Sequence, residues 1–327
     1  MLASSKILKD PTWLTGIFLL LLLVVGSHLR GKLPRTKYPD ASGMYPPSFW
    51  VRKKFGVYNV NMILGGSSRV YRGLAPEEIK KCMPKGIRIL NFGFSGLGLN
   101  PFIYRELEER LTDQPDESKI IVLGLGPTEV NGGTDGFLKI NKRSAFILRI
   151  EEVCDWWFEP LKTPIWPMQE PVSRYIQDYK SDGWIASNLL PPRPDRYLKS
   201  IRAKYSGYNP KLHQGLTDRT NTLLDQVRKW TEKGILVVGM RMPTLYDEYY
   251  DTAYGYDEAN EARLFSEAGG NWFHYSRDGL FSYDGSHLRE DSARLLSHQL
   301  GEYIQRLIMH GGKSEPMRDG SIRGTMQ

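Results

Sequence analysis

Cysteine is scarce: the 327 residues hold only Cys82 and Cys154. A predicted strand and helix separate them and neither has metal-ligand spacing, so two buried free thiols fit better than one disulfide. Histidine is scarce too, and the six (His28, His213, His274, His287, His298, His310) never form an HxH or HxxxH pair. No metal and no other cofactor is therefore predicted. A sustained basic run is missing as well. The formal net charge is +7, yet Lys and Arg are scattered among 37 acidic residues, the pattern of a solvated basic surface rather than a nucleic-acid footprint. Internal repeats and an interior linker are absent, which excludes a solenoid and leaves one domain of roughly 250 residues, enough to bury a real core.

One long apolar run is present, Trp13 to Val25, interrupted only by Thr15 and Gly16, within an uncharged stretch from Pro11 to Ser27. That is near the short limit of about 17 residues for a membrane-spanning helix, so it reads as a signal anchor or as the apolar region of a cleaved signal peptide. Its leucine density and the weak small-residue pattern at Val24 and Gly26 favour the uncleaved anchor. Lys6 and Lys9 precede it, but Arg30, Lys32, Arg35 and Lys37 follow it. The positive-inside rule alone would keep the following domain in the cytoplasm. The expected layout is an anchor over 1–29, a juxtamembrane stalk over 30–56, rich in Pro, Gly and basic residues, a domain over 57–310, and a polar, disordered tail over 311–327.

Inside the domain, apolar runs alternate with amphipathic stretches. Strands are expected at Val57–Leu64, Arg88–Phe94, Lys119–Gly126, Ile235–Met240 and Asn271–Tyr275. Helices are expected at Pro76–Met83, Pro101–Leu111, Asp218–Lys233, Glu258–Ala268 and Asp291–Met309. Strands apolar on both faces, alternating with helices, argue for a parallel sheet covered on each side. The stretch 151–209 breaks the alternation with Trp156, Trp157, Trp166, Trp184 and many prolines. It reads as an irregular insertion bordering the site. Its indoles either face a sugar ring or acyl chain or pack on the helices beneath, and the large gain from indole burial favours packing.

Four short segments stand where such a sheet gathers ligands, at the carboxyl ends of strands. They are Gly65-Gly66-Ser67-Ser68-Arg69, Asn91-Phe92-Gly93-Phe94-Ser95-Gly96, Gly124-Leu125-Gly126-Pro127-Thr128-Glu129 and Tyr283-Asp284-Gly285-Ser286-His287-Leu288. The chemistry of acyl transfer suits these residue types. A serine needs a base within hydrogen-bond reach, and a third group must orient that base. His287 can take and return a proton near neutral pH, and Asp284, three residues earlier, can hold its tautomer. The amide of Ser68, after two glycines, can face a developing oxyanion. Taken alone, Ser67 and Ser68 fit a helix N-cap pair as well as a nucleophile. Arg69, Arg72 and Arg241 are candidate contacts for a carboxylate or phosphate, although surface ion pairing is the commoner role of such arginines. Gly93, Gly96 and Gly98 invert the spacing of a dinucleotide fingerprint, and no acidic residue follows at the right distance.

The constellation resembles the SGNH (GDSL-like) hydrolase superfamily over about Val57 to Ile308, and looks closest to its membrane-anchored branch with Gly-Ser-Ser-Arg at the nucleophile. The resemblance implies a flavodoxin-like three-layer α/β/α sandwich with a five-stranded parallel sheet, preceded by one N-terminal transmembrane helix. It implies a serine esterase or O-acyltransferase with Ser68, His287 and Asp284 as its triad, and an oxyanion hole from Ser68, Gly96 and a third donor. The family's Gly-x-Asn-Asp block is replaced here by Gly-Leu-Gly-Pro-Thr-Glu, so Asn131, the nearest asparagine, or Thr128 is left as the candidate third donor. Implied partners are the membrane, an acylated polysaccharide or other cell-envelope polymer, and a membrane-bound O-acyltransferase; the domain would lie outside the cytoplasm. A non-catalytic scaffold or polymer-binding protein that keeps the fold while its oxyanion hole decays is the rival reading.

Overall fold

In a computed structural model of the chain, the described residues are 46–142 and 174–311, with a few helical positions between 15 and 25 and between 146 and 154. In chain order the elements are α1 (Pro46–Phe55), β1 (Met62–Gly66), α2 (Ser68–Gly73), α3 (Pro76–Lys81), β2 (Ile89–Gly93), α4 (Pro101–Glu108) and β3 (Ile120–Leu125). Next come α5 (Pro127–Val130), α6 (Asp135–Leu138), β4 (Arg174–Tyr179), β5 (Ile185–Leu190), α7 (Leu198–Lys204) and α8 (Pro210–Glu232). The last are β6 (Leu236–Arg241), α9 (Asp247–Tyr254), α10 (Glu258–Glu267), β7 (Asn271–Trp272) and α11 (Glu290–Met309).

Five strands form one parallel sheet in the order β2-β1-β3-β6-β7. Successive side chains of a strand point to opposite faces, and both faces here are apolar. Ile63, Ile121, Leu123 and Val237 enter one core, with residues of α4, α8 and α10. Met62, Leu64, Ile120, Val122 and Val238 enter the other, with residues of α2, α3 and α11. The sheet is therefore the middle of three layers, as the continuous apolar runs demand.

Two expectations need correction. The first strand does not begin at Val57, which is fully exposed, but at Met62, and it runs on into Gly65 and Gly66. The alternating polar residues before Met62 belong to a loop, because a strand buried on both faces has no use for alternation. Nor is 30–56 wholly a surface stalk. Its last part is α1, whose Phe49 packs with Tyr71 of α2 and Ile185 of β5. Lys53 on the same helix is 2% exposed, and its Nζ donates to Gly183 O at 2.7 Å. Four aromatic rings, those of Phe49, Trp50, Tyr71 and Phe94, lie within 5.5 Å of that ammonium. Aromatic faces favour a positive charge there, while burial drives its pKa well below the ordinary lysine value and Asp182 only partly offsets this.

The antiparallel pair β4 and β5 lies outside the main sheet. The turn joining them covers the edge strand β2, with Asn91 N donating to Asp182 O at 2.8 Å, which removes an open edge. Trp184, just before β5, is fully buried, with Nε1 donating to Arg72 O at 3.1 Å and Arg294 over its ring. For this indole packing is the role; Trp156, Trp157 and Trp166 lie outside the described residues. Among the described residues no helix is long and apolar enough to cross a membrane. The segment Trp13–Val25 and the tail past Gly311 lie mostly or wholly outside those residues.

Phe49→Ala should lower stability by about 3 kcal/mol, the usual cost of deleting a buried phenyl ring. Urea denaturation measures it, and a change below about 0.5 kcal/mol would show that α1 is not part of the folded domain.

Candidate active site

β1 ends in two glycines, and the chain turns directly into α2. At Gly66 φ is 150°, and a Cβ there would lie 2.5 Å from Val70 Cγ2, so only glycine lets the turn close this tightly. Ser67 is the N-cap of α2, its Oγ accepting from Arg69 N. Ser68 follows as the first residue of the helix, half-buried. Ser67 thus takes the cap role, and the Ser68 hydroxyl is left out of the cap. Asn91 of β2, wholly buried, donates to Val70 O at 2.9 Å and Leu74 O at 2.7 Å, and its Oδ1 accepts from Gly93 N. It ties the carboxyl end of this short helix to the sheet.

Asp284 and His287 arrive from the loop between β7 and α11. His287 Nε2 is 2.9 Å from Ser68 Oγ, and its Nδ1 is 2.9 Å from Asp284 Oδ2. With Nδ1–H donating to the carboxylate, Nε2 is free to accept the serine proton. Asp284 has no exposed surface, and its Oδ1 accepts from Ser286 N at 2.9 Å and His287 N at 2.8 Å. Burial raises its pKa, but the His287 ring and these amides outweigh burial and hold the carboxyl below its ordinary value. For His287 burial dominates: it lowers the pKa below 6.5 against the pull of Asp284, with Arg72 and Arg69 adding to the depression. The ring is therefore neutral near pH 7, the state a general base requires.

Gly96 lies in the loop after β2, which is tied to the nucleophile turn by Phe94 N donating to Gly66 O at 3.0 Å. Its φ of 63° is left-handed, and the residue is exposed. Among the described residues no backbone acceptor takes the amide of Ser68 or of Gly96. Asn131 turns its side chain toward Gly215 of α8 and lies near Tyr254. Thr128 donates to Glu129 Oε2 at 2.8 Å and accepts from Arg69 Nη1 at 3.1 Å, so its hydroxyl is committed.

Glu129 is the residue that the sequence reading left without a role. It is 2% exposed, and its Oε1 accepts from Ser67 Oγ at 3.0 Å and from Arg69 Nη1 at 2.8 Å. Arg69 Nε reaches Ser286 Oγ at 3.4 Å. Burial opposes the charge on Arg69, but Glu129 and further neighbours raise its pKa above the ordinary value. Complementary charges placed just after two strand ends were the available signal. Arg69 is thus held as an internal clamp. Arg241 is held likewise: it is 3% exposed, and its guanidinium is bound by Asp247 at 2.9 Å and Asp251 at 2.6 Å, which anchors α9. Arg72 remains beside the site, donating to Tyr283 OH at 2.5 Å. Among the described residues no group of His, Cys, Asp and Glu could hold a metal ion. Cys82 is partly buried near His298, with burial raising its thiol pKa, and Cys154 is exposed; both are free.

No protein-family model, curated protein or solved structure matches the chain.

The depressed pKa of His287 sets a sign for pH. The native state binds fewer protons than the unfolded chain just below pH 6.5, so stability should fall as pH drops through that range. Ring resonances followed by NMR should titrate below 6.5, and Asp284→Asn should lower the midpoint further by removing the raising charge. A midpoint that rises in Asp284→Asn would contradict the assignment.

Proposed function

We propose that the protein is a membrane-anchored, SGNH-like serine esterase or O-acyltransferase acting on acyl esters of a cell-envelope polymer. The observation that carries this reading is the continuous chain from Ser68 Oγ through His287 to the buried Asp284, both links at 2.9 Å. The strand order supports the family resemblance, since flavodoxin-like sandwiches run 2-1-3-4-5 and place ligands beside the first and third strands. The Ser68 turn follows β1, and the Glu129 block follows β3.

Ser68 Oγ attacks the ester carbonyl while His287 Nε2 takes its proton. The tetrahedral oxyanion sits against the amides of Ser68 and Gly96. Collapse breaks the bond to the leaving alcohol, which takes the proton from His287 and leaves an acyl group on Ser68. Water or a polymer hydroxyl, deprotonated by the same ring, then removes it. Asp284 stays ionised throughout and stabilises the imidazolium. Losing one oxyanion donor costs about 3 kcal/mol, so the positions of Asn131 and Thr128 leave a slower enzyme, not an inert one. They are also what motivates the scaffold reading, against which the intact serine, histidine and aspartate geometry weighs.

Attachment to the membrane through Trp13–Val25 is part of this proposal, with the domain outside the cytoplasm and a membrane-bound O-acyltransferase as donor partner. Phe18, Leu21 and Val25 are helical and expose apolar side chains, which supports an anchor.

A fluorophosphonate probe should label wild type and Ser67→Ala but not Ser68→Ala. Labelling that persists in Ser68→Ala would place the nucleophile elsewhere, and no labelling of wild type would favour the scaffold.

Hydrolase and transferase share every step up to acyl-Ser68, and an anchor beside the bilayer inclines the reading toward transfer. Given a chromogenic acetyl ester and an oligosaccharide, a transferase should yield acetylated sugar by mass spectrometry. Unmodified sugar with rapid acetate release would make it an esterase.

A further inference from the structure

Beside the histidine lies a second face that the acyl-transfer chemistry does not use. Tyr283 stacks on His287, ring centroids 5.9 Å apart at 20°. Tyr175 of β4 meets Tyr283 edge-on at 5.9 Å, and its hydroxyl lies 3.4 Å from Asp284 Oδ2. Tyr175 is partly exposed, whereas Tyr283 is wholly buried. Over the Tyr175 ring sits Arg196, its Cζ 5.0 Å from the centroid and 5.6 Å from that of Tyr197. Arg72 approaches the same Tyr175 ring at 5.9 Å.

Both arginines have unused donor capacity. Arg196 is exposed and has no ion pair or side-chain hydrogen bond among the described residues. Arg72 Nε is buried with no acceptor, and its Nη1 is held by the neutral Tyr283 hydroxyl rather than by a carboxylate. Two acids stand near this face. Asp284 interacts with Arg72 but is already shared among His287 and two amides, and Asp195 precedes Arg196 without pairing to it within ion-pair distance.

The loop that carries Arg196 is fastened to the segment that carries Asp284. Arg193 N donates to Tyr283 O at 2.7 Å. Tyr246 OH lies 2.9 Å from Pro194 O and 3.0 Å from Asp284 O, and accepts from Tyr197 N at 3.2 Å. Arg196 therefore keeps a set position relative to the nucleophile. A guanidinium lying over tyrosine rings is weakly hydrated and keeps its planar fork of donors for an oxyanion.

We propose that Arg196 and Arg72, across Tyr175, bind an anionic group on the sugar that carries the ester. The substrate is then an acyl ester of an acidic glycan, its carboxylate or phosphate on the arginines and its acyl group at Ser68. This assignment rests on the esterase or acyltransferase reading.

The test needs no turnover. Ser68→Ala protein is titrated by calorimetry with trigalacturonic acid, galactose 6-phosphate and neutral galactotriose. At least one anionic probe should bind about tenfold tighter than the neutral one, the scale of a charge-assisted pair of contacts. Tighter binding of the first assigns a carboxylate, and of the second a phosphate. Adding Arg196→Gln should abolish the preference, Arg196→Lys should retain part of it, and the neighbouring Lys199→Gln should leave it intact. Equal binding of all three, no binding, or a preference that survives Arg196→Gln overturns the proposal. Absence of probe labelling at Ser68 would instead strike the catalytic reading and leave this binding result standing.

Discussion

A carboxylate with no exposed surface is the constraint around which this site is built. An ionised group cannot be taken out of water without donors to replace it. Asp284 draws those donors from every side: the amides of Ser286 and His287, the His287 ring and, at longer range, the Tyr175 hydroxyl. Each requirement shapes a different part of the molecule. The amides impose a tight turn before α11, the ring is pinned toward Ser68, and the hairpin of β4 and β5 is drawn onto the triad segment. Tyr246 completes the arrangement from α9's amino end by bridging Asp284 O and Pro194 O.

A second buried charge pair does for the Ser68 turn what Asp284 does for His287. Glu129 and Arg69 are 2% and 8% exposed and 2.8 Å apart. Breaking such a pair leaves an unmatched buried charge and typically costs about 3–5 kcal/mol. Because Arg69 belongs to α2 and Glu129 to α5, the pair locks the loop after β3 against the turn after β1.

Stability and site geometry are also joined through α1. Lys53 lies within reach of Tyr71 and Phe94, which follow Ser68 and β2 respectively, and its ammonium holds the turn at Gly183. The same burial pushes the neighbouring Asp182 carboxyl up to about 6. The helix that precedes the sheet therefore braces the nucleophile helix and the hairpin together, and a boundary drawn at the first strand would cut through this contact.

The strand and helix pattern was largely legible because each element is long enough to show its period. The five parallel strands and the long helix α11 lie where the apolar runs put them, within about five residues, whereas α8 starts at Pro210, well before the expected Asp218. Ser68, Asp284 and His287 could be named from order and local context because strand ends in an open parallel sheet converge on one rim whatever the intervening loops do. Short and irregular pieces were not legible. α1, α2, α9 and the β4–β5 hairpin carry too few residues for a period to stand out, and their form depends on partners remote in the chain. Arginine roles were the least readable of all. Arg69, Arg72, Arg196 and Arg241 are the same residue type in similar settings, yet one is clamped by Glu129, one by two aspartates, and two stand over Tyr175. The sequence by itself determined the layered α/β architecture and the chemical types at its rim, since periodicity and residue chemistry are local. Only the tertiary structure decided which charges are neutralised within the fold and which remain for a ligand, because pairing energy depends on distance and burial, and neither is set until the chain has packed.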